Sequence, residues 1–199
     1  MKIAGLDLSL TSTGIAVLGD DGCVTEAVKT RAEQGWLERI DTILTRILLS
    51  VQGCDAIYVE NYAFGSRFSR EALGELGGVV KRELLTHGFR ITLVSPSQVK
   101  VFATGKATTP ACPKGVAKST WKKKWVSSFV ERDYGVKHGT DDETDAFILA
   151  TIGRTTESVR CGAVQIVDLP EHQQRVVLKL LEGEGSYGGK NNTKGRRRK

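Results

Sequence analysis

A chain of 199 residues with 40% hydrophobic content can bury one sizeable core, and two independent domains are not expected. No apolar run reaches membrane-spanning length, and the four cysteines are scattered without a Cys-x-x-Cys pair, so the sequence reads as a cytoplasmic protein with neither a zinc site nor a disulfide framework. The net charge of +6 is local: Lys190, Lys194, Arg196, Arg197, Arg198 and Lys199 account for all of it, and a second, acid-free run carries Lys100, Lys106, Lys114, Lys118, Lys122, Lys123 and Lys124. Basic patches on a neutral body point to a polyanion, nucleic acid first.

Taken in order, residues 2–8 and 14–18 read as strands around a small-residue turn at 9–13, and Asp20-Asp21-Gly22 marks a hairpin into a third strand at 24–28. Leu37, Ile40, Leu44, Ile47, Leu48 and Val51 recur at helical spacing and predict an amphipathic helix over 34–51. A strand at 55–60, a helix at 67–86 and a strand at 90–94 follow. The 67–86 helix contains Gly74, Gly77 and Gly78, which suggest close approach by another backbone, either the sheet beneath or a second subunit. Ser95-Pro96-Ser97 opens a short helix, 104–115 reads as a loop, and 118–133 is a helix whose Trp121, Trp125 and Phe129 form a stripe expected in the core.

Four acids in five residues, 141–145, then precede the apolar run Ala146 to Ala150, so they open a buried helix. Thr140 with Glu143 reads as a capping box, while Asp142 and Asp145 share one face of the first turn. The remainder reads as a strand at 163–167, a helix at 170–182 and a disordered basic tail. The expected organisation is therefore 1–157 as the main domain, 158–183 as an extension packed on it and 184–199 as the tail.

This succession fits an α/β fold, a mixed five-stranded sheet with helices on both faces. Within it Asp7 ends the first strand and Glu60 the fourth, at the edge where ligands of such sheets gather. Asp7 alone is equally readable as a cap on the turn that follows it. With Asp142 and Asp145, however, the two acids make a potential four-carboxylate cluster, tolerable only with bound cations. Oxygen donors of this kind suit Mg²⁺, with Mn²⁺ able to substitute. Two ions about 4 Å apart would serve phosphodiester cleavage.

The stretches Asp7 to Ala16, Tyr58-Val59-Glu60, Ser95 to Lys100, Thr104-Gly105-Lys106 and Asp142 to Ala146 resemble, in the same order, the motifs of RuvC-type Holliday junction resolvases, especially their phage-type branch. The resemblance covers residues 1 to about 155. It implies a ribonuclease H-like (retroviral-integrase-like) fold, a homodimer whose contact helix holds Gly74 to Gly78, and Mg²⁺-dependent paired nicking of four-way DNA junctions. By position it implies Asp7, Glu60, Asp142 and Asp145 as metal ligands, with Lys100 and Lys118 near the scissile phosphate. Tyr62, Phe64, Lys106, Lys114 and Lys122 would contact DNA. The chain departs from the bacterial pattern at Leu8-Ser9, where that pattern has Pro-Gly, and at Ala63, where the family's aromatic wedge would fall.

Three other readings compete. A nuclease of the same fold could act more broadly on branched, flap or RNA-containing duplexes. A non-catalytic DNA-binding module is disfavoured because all four acids are present. An actin-like ATPase fragment, suggested by the Ser/Thr-rich turn after Asp7, lacks the second glycine-rich phosphate loop.

Overall fold

The computed structural model of the chain describes residues 1–61, 70–183 and 185–187. Strands β1 (Ile3–Asp7), β2 (Ser12–Gly19) and β3 (Gly22–Lys29) form the expected antiparallel meander, with β2 and β3 paired up to Gly19 and Gly22. Helix α1 (Trp36–Ser50) leads to β4 (Ala56–Glu60), and α2 (Arg70–Thr86) to β5 (Ile91–Val94). Both β4 and β5 run parallel to β1. Then come α3 (Pro96–Thr104), α4 (Lys118–Tyr134), α5 (Asp141–Arg160) and α6 (Glu171–Leu181). The sheet order is β3-β2-β1-β4-β5, extended by a two-residue strand β6 (Ser186–Tyr187).

The period-two alternation of β1 and β4 builds two cores. Ala4, Leu6, Ile57 and Val59 face Ile43 and Ile47 of α1 and Leu76, Val80 and Leu84 of α2. Ile3, Ala56 and Tyr58 face the other way, against Phe102 of α3, Trp125 of α4, the buried run of α5 and Val176, Val177 and Leu180 of α6. Trp121 and Phe129 pack against this second core as well, so the aromatic stripe is a core feature. At the far end of the sheet the buried Glu157 of α5 is matched by Tyr58 Oη (2.8 Å), Arg90 (2.7 Å) and Arg160 (2.8 Å). Those partners hold its charge in an otherwise apolar layer.

Two expectations need correction. Residues 163–167 are not a strand: Gly162 turns the chain after α5, the amides of Ala163 and Val164 return to the Ser158 carbonyl, and 166–168 form a single 3-10 turn. The β-branched run that suggested a strand serves otherwise, Ile166 packing on the core while Val167 is 74% exposed. The stretch expected to be disordered from residue 184 includes β6, which pairs antiparallel with β5 after the Gly185 carbonyl accepts from Leu93 N–H at 2.8 Å. The basic residues beyond 187 lie outside the described residues. Among the described residues no helix is long and apolar enough to cross a membrane.

Candidate active site

Strand parity decides where the two strand acids point. Asp7 shares its face of β1 with Ile3, and Glu60 its face of β4 with Ala56 and Tyr58, so both turn toward α5 at the carboxyl end of the parallel strands. They meet there, close enough for the Asp7 carboxyl to act directly on that of Glu60.

Two glycines let α5 settle onto these strands. A Cβ on Gly14, the β2 partner of Asp7, would lie 2.5 Å from the carbonyl carbon of Asp142, and a Cβ on Gly5 would overlap the Ala146 carbonyl. Neither glycine figured in the sequence reading as more than a strand residue. Their signal was there, since glycine inside a strand marks close backbone approach, but the partner lies over 100 residues away. Thr140 caps α5 by accepting from Glu143 N–H at 3.2 Å, and its hydroxyl donates to Glu143 Oε2 at 2.9 Å. Thus Glu143 returns to the cap through the Thr140 side chain. Asp142 takes a different partner: Ser12 Oγ donates to its Oδ2 at 2.5 Å.

A cleft of about 180 Å³ opens beside this cluster, lined by Glu60, Asp141, Asp145, Lys100 and Lys122 among others. Lys100 stands one turn into α3, which starts directly beyond β5 with a full Ser95–Gln98 capping box, so its ammonium reaches the carboxyl end of the sheet. Glu60 is pushed up to about 7, chiefly by burial and then by the charge of Asp145, against the lowering effects of the Asp7 hydrogen bond and Lys100. Asp145 is also pushed up to about 7, by burial first and then by Asp7, Asp141 and Asp142, with Lys100 opposing. Burying this many carboxyls in a cleft lined by only Lys100 and Lys122 among the basic described residues leaves the site short of positive charge.

Of the lysines singled out from sequence, Lys100 and Lys122 line the cleft; Lys106, Lys114 and Lys118 are exposed outside it. Asp141, which the sequence left without a role, lines the cleft one helical turn before Asp145. Tyr62 and Phe64 lie outside the described residues. Every acidic donor here is a carboxylate oxygen, with no His or Cys among them, so the donor set suits a hard divalent ion. The acids are gathered without forming a finished cage: among the described residues no three His, Cys, Asp or Glu side chains stand in metal-binding proximity.

No protein-family model and no curated protein matches the chain. Solved structures do. Thermus thermophilus RuvC is 23% identical with a TM-score of 0.62, covering 81% of this chain and 97% of that one. The same protein in complex with a Holliday junction substrate is 22% identical with a TM-score of 0.61, covering 81% and 96%. The fold is therefore the ribonuclease H-like fold of RuvC, as its motif order suggested.

Proposed function

We propose that the protein is a metal-dependent endonuclease that resolves four-way DNA junctions by paired nicking as a homodimer. The observation that carries this reading is that Asp7 and Glu60 end neighbouring parallel strands on one face, toward the acidic start of α5, beside a cleft lined by Glu60, Asp145 and Lys100. Asp7, Glu60, Asp142 and Asp145 would hold Mg²⁺ or Mn²⁺, which supplies water activation and charge neutralisation at the phosphate. The chain's own groups do the rest. Once ionised, Glu60 and Asp145 would supply the negative charge that holds such ions, while Lys100 and Lys122 line the same cleft with positive charge for a phosphodiester.

For the homodimer, α2 supplies the support. Gly74 and Gly78 are one turn apart, and among the described residues a Cβ on either would meet nothing within 4 Å. The sheet is thus not what these two glycines accommodate, which favours the second-subunit alternative. The Thermus protein in complex with a Holliday junction supports the junction as substrate. A second reading, a same-fold nuclease acting on flaps and other branches, draws on one feature: Ala63 stands where the family carries its aromatic wedge.

The test separates binding from chemistry. Asp145→Asn and Glu60→Gln remove an ionisable oxygen from the site without changing its volume. Each is expected to abolish Mg²⁺-dependent nicking of a synthetic four-way junction, a loss of at least ~1000-fold, while junction affinity in a gel-shift measurement stays within about threefold. Normal nicking by either variant contradicts the assignment.

A further inference from the structure

The turn between β1 and β2 carries four hydroxyl side chains, and most of them bond within it. Ser9 Oγ accepts from the amides of Thr11 (3.3 Å) and Ser12 (3.4 Å) and lies 3.1 Å from Thr11 Oγ1. Thr13 Oγ1 accepts from Ser9 N–H at 3.1 Å and donates to the Ser9 carbonyl at 2.6 Å. Arg39 of α1 braces the knot from outside, donating to the Leu10 carbonyl at 2.8 Å and to Thr30 Oγ1 at 2.9 Å. Ser12 differs: its hydroxyl leaves the turn and spans 130 positions of sequence to Asp142 Oδ2 at 2.5 Å.

Two neighbouring positions of one strand face address the same residue. Ser12 and Gly14 lie two apart in β2 and so share a face; Gly14 seats the backbone of Asp142, and Ser12 takes its side chain. A serine hydroxyl can only donate to an ionised carboxylate, and at this length the bond is of the strong, charge-assisted kind. Rotation of the Asp142 carboxylate is then restricted from a turn that is itself cross-linked. Ser12 occupies one of the roughly four lone-pair sites of the carboxylate, so the bond orients the group without using up its capacity to hold a cation.

We propose that Ser12 is a positioning residue for Asp142: its hydroxyl holds the carboxylate in the orientation that receives a divalent ion, and so sets the affinity of that ion. The inference rests on the reading of Asp142 as a metal ligand given above. It gives the hydroxyl-rich segment from Ser9 to Thr13 a part in orienting the site. A supporting hydrogen bond of this kind is worth about 10- to 100-fold in metal affinity.

Ser12→Thr and Ser12→Val are the paired test, because the two side chains have the same shape and differ only in the hydroxyl. Mn²⁺ binding to the full chain without DNA, followed by the electron paramagnetic resonance of the free ion, is expected to weaken about tenfold or more in the Val variant and to stay within about twofold of wild type in the Thr variant. Ser12→Ala, which adds no bulk, is expected to follow Val. The Mg²⁺ concentration giving half-maximal junction nicking should move in parallel. Equal Mn²⁺ affinity in the Thr and Val variants overturns the proposal, and so does an Ala variant that binds like wild type. If wild type fails to nick junctions while the Thr/Val contrast in Mn²⁺ binding persists, the junction reading falls and the role of Ser12 stands.

Discussion

Glu60 and Asp145 carry the energetic signature of the site. Their carboxyls titrate near 7 in the folded protein against ordinary values of 4.5 and 3.8. Between those limits the folded chain holds protons that the unfolded chain has released. The pair's contribution to stability is therefore full below about pH 4 and falls as pH rises through 7. A divalent cation binds the ionised carboxylates, so its stabilising effect has the opposite slope. Thermal melting in EDTA and in excess Mg²⁺ is expected to show a small Mg²⁺-induced rise in midpoint at pH 5 and a larger one at pH 8. Asp145→Asn should remove most of the pH 8 rise. An equal rise at both pH values would contradict the assignment of these two side chains to the metal. At this scale much was legible: Asp7 and Glu60 are acids at strand ends whose parity points them to one face. The Ser12–Asp142 bond was not, because no local pattern relates two residues 130 positions apart.

Among the elements, α5 is the one whose seating decides the geometry. Its start is pressed against β2 at Gly14 and against β1 at Gly5. Gly14→Ala would drive a methyl into the Asp142 carbonyl and lift the first turn of α5 away from Asp7. The expected cost is about 3 kcal/mol in denaturant unfolding, together with loss of nicking under conditions where the variant remains folded. Gly19→Ala in the same strand, where a Cβ meets only Asp21 N at 4.0 Å, is the control and should do neither. Wild-type stability and nicking in Gly14→Ala would refute the seating argument. Helical periodicity gives α1 and the aromatic stripe of α4, since burial on one face leaves its mark at every turn, while the capping residues and the continuous apolar run give α5. It did not separate Lys118 from Lys122, which lie one turn apart on the same side of α4. Only the cleft's position near the middle of that helix shows that Lys122 lines it and Lys118 does not. The strand expected at 163–167 does not form because β-branched residues suit a strand only where a partner is paired, and here the amides of Ala163 and Val164 return to Ser158 instead.

The described residues form a sheet covered on both faces, with its acids and two lysines at the carboxyl end of the parallel strands and, on the opposite layer, Gly74 and Gly78 of α2 unmet by any described residue. The C-terminal helix α6 completes the core against α3 and α5, so the segment after α5 belongs to the same packed unit. A nuclease built this way as a two-fold dimer would bring two clefts to one junction, which makes paired cuts the distinguishing product. The most direct measurement uses a supercoiled plasmid with one extruded cruciform, incubated with the wild-type chain and Mg²⁺. Paired nicks made within one binding event convert the plasmid to a linear product cut at the cruciform, while a plasmid without the cruciform stays supercoiled. Nicked circles as the sole product, or equal cleavage of the plasmid lacking a cruciform, would contradict the account.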